Sequence, residues 1–127
     1  MSHQLYNALI RTHHITSRKK VAKLKAAASN CHVYALLRSG GCPGIMYCQG
    51  SESGVREWVA NVQRLRYKDF QLVKKPAEKE VTEKEVENNI THGKLEEVDT
   101  VKDFGERMDN IGIWSWWRKG MGYVGND

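Results

Sequence analysis

Residues 32–50 read HVYALLRSGGCPGIMYCQG, and this stretch decides the fold. Residues 32–38 are rich in β-branched, aromatic and aliphatic side chains, which favour a β-strand. Residues 39–44 combine glycines with a proline and form the strongest turn signal in the chain. Residues 45–49 are again mostly apolar. The stretch therefore predicts a hairpin whose two strands, the second and third of the domain, run antiparallel.

The residues before the hairpin predict a strand followed by a helix. Residues 4–12 contain neither Gly nor Pro and are predicted as the first strand. Ser17 is a suitable N-cap for a helix over residues 18–28, in which Val21, Leu24 and Ala28 recur at helical spacing.

The residues after the hairpin repeat this pairing in the opposite order. Ser51 or Ser53 can cap a helix over residues 55–66, which carries a regular apolar stripe. Residues 70–73 are predicted as a fourth strand. The resulting order, β-α-β-β-α-β, is that of the ferredoxin-like α+β sandwich. It predicts two helices on one face of a four-stranded antiparallel sheet.

The opposite face of this sheet also needs a cover. The first two strands are apolar at both alternations, whereas a strand with one solvated face alternates apolar and polar residues. We therefore expect a C-terminal helix, capped by Asp99 or Thr100, and the tryptophan-rich tail with Trp114, Trp116 and Trp117 to pack back on the sheet. At least one or two of these three tryptophans are expected in the core.

Chain length and composition place these elements in one domain. The chain has 127 residues, enough for a single core. We assign residues 1–75 to the ferredoxin-like core, residues 76–98 to an acidic connector, and residues 99–127 to the helix and tryptophan-rich segment that complete the same domain. No apolar run approaches the roughly 18 residues of a membrane helix. We expect an intracellular protein, nuclear or cytoplasmic, without membrane contact and with reduced, mostly buried cysteines.

Charge is distributed unevenly along the chain. The net charge is +5, but residues 1–75 carry thirteen Lys and Arg against three Asp and Glu. A basic half of this kind favours a polyanionic partner.

Several segments together resemble a known family. They are residues 34–51 with their Pro-Gly turn, Trp58, residues 65–68, residues 101–106 and residues 114–122. In order and spacing they resemble the C-terminal domain shared by the tri-snRNP pre-mRNA-splicing factor and some RWD-domain-containing proteins. The resemblance implies a ferredoxin-like fold, and it implies a domain that holds small nuclear RNA.

Charge and resemblance together predict a non-catalytic domain that binds single-stranded or small nuclear RNA, and the resemblance links this domain to pre-mRNA splicing. Cations would contact phosphates, and Tyr47, if exposed, would stack on a base. A lysine-coated, merely solvated helix is the competing interpretation. The predicted RNA-binding residues are Arg18, Lys19, Lys20, Lys23, Arg38, Tyr47, Lys68, Lys74 and Lys75.

Other functional classes find less support in the sequence. The Asp103-Phe104-Gly105 triplet lacks the other parts of a kinase, and the cysteines and histidines lack the close pairs of a zinc site. A histidine and a cysteine could form a nucleophilic pair, but no sequence feature indicates that a histidine and a cysteine lie close together in the fold. We expect no enzyme, no cofactor and no metal. The alternative function is a protein-interaction adaptor that uses the acidic connector or an exposed part of the tryptophan-rich segment.

Overall fold

The computed structural model describes residues 4–80 and 90–123. Its elements follow in the order β1 (Tyr6–Thr12), α1 (Arg18–Cys31), β2 (Tyr34–Arg38), β3 (Gly44–Gly50), α2 (Glu52–Arg64), β4 (Gln71–Glu78), β5 (Lys94–Val98), α3 (Val101–Ile111) and α4 (Trp114–Met121). Within the described residues the strands form one five-stranded sheet of order β4-β1-β3-β2-β5. The first four strands have the ferredoxin-like order, which confirms the predicted fold.

Helices α1 and α2 cover one face of the sheet. The Ser17 hydroxyl accepts a hydrogen bond from the Lys20 N–H at 3.1 Å, and the Ser51 hydroxyl accepts one from the Gly54 N–H at 3.0 Å. Both serines therefore cap their helices, and the choice between Ser51 and Ser53 falls to Ser51. Between the two helices, the fully buried Trp58 donates from Nε1 to the Leu24 carbonyl at 3.1 Å.

Helices α3 and α4 cover the opposite face. Phe104 and Trp117 are buried there with Leu9, Leu36 and other side chains of the inner strands. The Phe104 and Trp117 ring centroids lie 5.9 Å apart. The expectation of a sheet buried on both sides, with the C-terminal part packed back on it, is therefore confirmed.

The largest differences from the sequence prediction concern three segments. The sheet has a fifth strand, β5, which lies in the predicted connector and runs parallel to β2. Strand β4 does not end near residue 73 but continues through Pro76 to Glu78, as an edge strand that tolerates the proline. The tryptophan-rich segment forms a helix, α4. The central residues of the predicted connector, 81–89, lie outside the described residues.

Strand β5 is charged, but its neighbours satisfy its carboxylates. Glu96 accepts hydrogen bonds from the Tyr34 hydroxyl, at 2.8 Å, and from Arg107. Burial raises the pKa of Glu96, but these hydrogen bonds outweigh it and the net pKa is lowered. Leu95 is the buried residue that anchors this strand in the core.

The three cysteines are free and occupy different environments. Cys48 is buried, and burial raises its pKa; Cys31 is half-buried and its pKa is also raised by burial. Cys42 is exposed at the tip of the β2–β3 hairpin, so the expectation of mostly buried thiols is wrong for this residue. In the described ranges, no helix is long and apolar enough to cross a membrane.

Candidate nucleic-acid interface

A small cleft opens at the N-terminal end of α1, between the β1–α1 and α2–β4 connections. Its volume is about 230 Å³. We call it the basic cleft, and its lining residues are His14, Thr16, Ser17, Lys20, Arg66, Tyr67 and Lys68. The side chains of Lys20, Arg66 and Lys68 thus bring three permanent positive charges to one concave surface, and no carboxylate belongs to its lining.

The backbone around the basic cleft places these cations. Helix α1 begins at Arg18, and its first turn contains no acidic residue. The N-terminal end of a helix presents unpaired N–H groups and a partial positive charge, so it favours an anion. Across the cleft, the His13 N–H donates to the Lys68 carbonyl at 2.9 Å and ties the two connections together. Arg66 has a left-handed backbone, with φ of 53°.

Tyr67 forms the apolar side of the basic cleft. Its side chain is buried, and the Lys20 Nζ lies 4.9 Å from the centroid of its ring, in a cation–π contact. Burial raises the pKa of Tyr67 to about 12. Within the described part of the chain its hydroxyl has no hydrogen-bond partner. The ring therefore acts as a support for Lys20, and it is too buried to offer a stacking face.

Helix α1 extends the positive surface beyond the basic cleft. Lys19 and Lys23 are exposed on it. Arg18 is exposed too, but its guanidinium donates to the Glu97 carboxylate at 2.6 Å. The hydrogen bond from Arg18 is the main reason that the pKa of Glu97 is lowered. The charge of Arg18 is therefore already offset, and it contributes less to binding an anion than its neighbours.

Three of the predicted cations lie away from this surface. The Arg38 guanidinium donates to the carbonyl oxygens of Asp99, at 2.9 Å, and Pro43, at 3.0 Å, which is a structural role. Lys74 lies on edge strand β4 with its side chain against Gly120 of α4, on the face opposite α1. Lys75 is exposed on the same strand. Arg38 and Lys74 therefore do not share one surface with α1, and phosphate contact at either residue stays a prediction.

Tyr47 is not a stacking residue. It is completely buried beneath α4, and the Trp116 ring lies edge-on to it at 5.8 Å. Its hydroxyl donates to the Gln49 side chain at 2.8 Å and accepts from the Asn7 side chain at 3.3 Å. Tyr47 was predicted to stack on a base only if it is exposed. It is not exposed, because the C-terminal helices cover this face of the sheet.

The structure also adds residues to the predicted set. His14 and Arg66 line the basic cleft but were not among the predicted RNA-binding residues. Arg66, the last residue of the predicted helix, and Lys68 flank Tyr67, and this alternation of charge around an aromatic residue is the signal that could have identified Arg66. In the portion of the chain that the structure describes, no three His, Cys, Asp or Glu side chains gather as a metal site would require.

A second concave surface lies between α3 and α4. We call it the Trp groove; its volume is about 350 Å³. Its lining residues are Val101, Lys102, Gly105, Glu106, Asp109, Trp114, Trp117, Arg118 and Tyr123. Trp117 is buried in the floor, whereas Trp114 is 38% exposed at the edge, with the Arg118 guanidinium 4.7 Å above its ring. The expectation that at least one of the three tryptophans is core is confirmed by Trp117.

Comparisons with known proteins support the fold alone. No protein-family model matches this chain, and no curated protein matches it. Among solved structures, one titled "BlrP1 BLUF" is similar with a TM-score of 0.57 and 12% sequence identity, over 90% of this chain and 80% of that chain. At this identity the similarity supports the arrangement of strands and helices, and it gives no information about function.

Proposed function

We propose that this protein is an RNA-binding domain, and that the basic cleft with the adjoining face of α1 holds the phosphate backbone. The observation that carries the proposal is the convergence of Lys20, Arg66 and Lys68 on the N-terminal end of α1, without a carboxylate in the lining. Lysine and arginine side chains neutralise phosphates, and a helix N-terminus adds N–H donors and a favourable dipole.

The resemblance to the splicing-factor domain favours RNA over other polyanions. The same resemblance favours small nuclear RNA of the splicing machinery as the partner. The buried position of Tyr47 and Tyr67 argues against stacking as the main contact. Binding that rests on phosphates positions the strand without selecting its bases. We therefore expect affinity to depend on salt and strand length more than on sequence.

Two double variants with the same loss of charge test the site. K20Q/K68Q removes two cations from the basic cleft, whereas K102Q/K119Q removes two from exposed positions on α3 and α4. Binding of a fluorescent single-stranded RNA oligomer at low salt should weaken about 10-fold or more with the first pair and much less with the second. Equal effects of the two pairs would mean that only net charge matters, and the proposed site would be wrong.

An adaptor function is the second candidate, and the Trp groove favours it. A protein partner would place an apolar side chain beside Trp114, whose exposed ring is already oriented by Arg118. Trp114→Ala should then abolish the recovery of protein partners from nuclease-treated extract, while K20Q/K68Q leaves it intact. Loss of all partners after nuclease treatment of the wild-type sample would contradict this alternative.

A further inference from the structure

A cysteine, a histidine and an aspartate from three separate loops meet next to the basic cleft. The Cys42 Sγ lies 3.8 Å from the His13 Nε2. The other ring nitrogen of His13, Nδ1, lies 3.5 Å from the Asp69 Oδ2. The carboxylate, imidazole and thiol therefore follow one another in the order of a nucleophilic triad. Distances slightly beyond hydrogen-bond length are common in such sites before a substrate is bound.

The fold, and not the sequence spacing, produces this arrangement. His13 follows β1, Cys42 lies at the tip of the β2–β3 hairpin, and Asp69 precedes β4. Strand β1 pairs with both β3 and β4, so these three connections end at the same edge of the sheet. Asp69 has a left-handed backbone with φ of 56°, a conformation that Asp adopts more readily than most residues.

The triad lines a cleft of about 520 Å³, which we call the thiol cleft. Its further lining residues are Arg11, Thr12, Pro43, Phe70 and Gln71. Thr12 is 2% exposed, and its hydroxyl has no hydrogen-bond partner within residues 4–80 and 90–123. Phe70 and Pro43 offer apolar contacts, whereas Arg11 and Gln71 offer hydrogen-bond donors. A lining of both kinds suits a molecule with a polar carbonyl group and an apolar acyl chain.

Cys42 is the most exposed of the three thiols. Cys48 is buried in the core, and Cys31, the last residue of α1, is half-buried. Burial raises the pKa of both of these thiols, which keeps them in the unreactive protonated form. Cys42, in contrast, is exposed, and it has a histidine beside it as a base.

We propose that Cys42, His13 and Asp69 form a nucleophilic thiol site that takes an acyl group from an activated carboxylic ester. In the tautomer that donates from Nδ1 to Asp69, the His13 Nε2 accepts the proton of the Cys42 thiol. The thiolate attacks the carbonyl carbon, a carbon–sulfur bond forms, and the bond to the ester oxygen breaks. The alcohol leaves with the electron pair of that bond and with the proton from His13.

Water completes the cycle. His13 accepts a proton from a water molecule as the water oxygen attacks the thioester carbon. The carbon–sulfur bond breaks, the carboxylic acid is released, and His13 returns the proton to Cys42. Cys42 and His13 are the catalytic residues of this scheme, and Asp69 is a positioning residue. The sequence predicts a non-catalytic domain, and this scheme differs from that prediction.

Titratable and charged side chains lie close to His13. Asp69 faces Nδ1, and the His14 ring lies 4.7 Å from the His13 ring. Arg11 lines the same cleft, and Cys42 faces Nε2. Asp69 thus places a carboxylate beside the ring nitrogen of His13 that does not face the thiol. Asp69→Asn removes this carboxylate and keeps the shape of the side chain, so the pH profile of acylation distinguishes a role of the charge from a purely structural role.

The test uses p-nitrophenyl acetate with the full chain, following p-nitrophenolate release and the acetylated residue by peptide mass spectrometry. Acetyl should be found on Cys42 and should disappear in Cys42→Ser, whereas Cys31→Ser, the matched control, should keep the wild-type rate. His13→Gln should slow acylation about 100-fold. Asp69→Asn should shift the pH dependence of acylation. The four substituted positions are exposed or half-buried, and far-UV circular dichroism verifies that the variants fold.

Acetylation that does not require Cys42, or a His13→Gln variant as fast as wild type, would overturn the proposal. An Asp69→Asn variant whose rate is scaled equally at every pH would remove Asp69 from the site. The proposal for RNA binding is independent of these results, because the thiol cleft and the basic cleft share no residue.

Discussion

Replacing Trp117 by Ala tests whether the C-terminal helices belong to the core. Trp117 is 4% exposed and packs against Phe104 and Tyr123. A buried Trp side chain removes about 200 Å² from water, worth about 5 kcal/mol at about 25 cal/mol per Å². Its Nε1 has no hydrogen-bond partner in the described part of the chain, so its removal returns about 1 kcal/mol. We expect the free energy of unfolding to fall by about 4 kcal/mol, within the range of core Trp substitutions.

Urea unfolding followed by far-UV circular dichroism measures this loss without relying on tryptophan fluorescence. Trp114→Ala is the matched control, because Trp114 lies three residues away on α4 but is 38% exposed. It loses mainly its contact with Arg118 and should cost less than about 1 kcal/mol. If the two variants lose the same stability, α4 does not seal the sheet and the reasoning is refuted.

Three further predictions concern stability. Tyr67→Phe removes a buried hydroxyl that has no partner in the described residues. At neutral pH the free energy of unfolding of this variant should therefore equal that of wild type or exceed it by up to about 1 kcal/mol. The folded-state pKa of Tyr67, about 12, lies above its ordinary value of 10.0. Wild type should therefore lose stability as pH rises through this interval, whereas Tyr67→Phe should not. Urea titrations at each pH measure the difference. Gly54→Ala should lower the melting temperature, because its Cβ would lie 2.5 Å from the Cys31 carbonyl oxygen, whereas the exposed Ser53→Ala should not. Because the pKa of Glu97 is lowered from its ordinary value of 4.5, Glu97 contributes stability at pH values above 4.5, and this contribution is lost as pH falls. Arg18→Gln should weaken this dependence of the urea midpoint on acid pH.

Local signals account for the parts of the fold that the sequence predicted correctly. The Pro-Gly turn at Cys42–Gly44 and the serine caps at Ser17 and Ser51 act on their immediate neighbours, so their effect is visible in the sequence. The two-sided burial of the sheet was also predictable, because strands with apolar residues at both alternations need a cover on both faces.

Strand β5 and the site residues depend on contacts between distant parts of the chain. Residues 94–98 read KLEEV, and their carboxylates are satisfied by Arg18, Tyr34 and Arg107, partners that no local pattern shows. The apolar pattern of β3 does not tell whether Tyr47 is covered. The positions of Lys74 and Arg38 relative to α1 likewise follow from strand order and hydrogen bonding, so the predicted cations could not be sorted into one surface from the sequence.

The salt dependence of RNA binding tests the central claim most directly. If Lys19, Lys20, Lys23, Arg66 and Lys68 each contact a phosphate, the slope of log affinity against log salt is about −3.5 for a single strand, at about −0.7 per contact. The triple variant K19Q/K20Q/K23Q should reduce this slope to about −1.4 and weaken binding to every RNA sequence similarly. An unchanged slope in the triple variant, or no binding of wild type at low salt, would contradict the account.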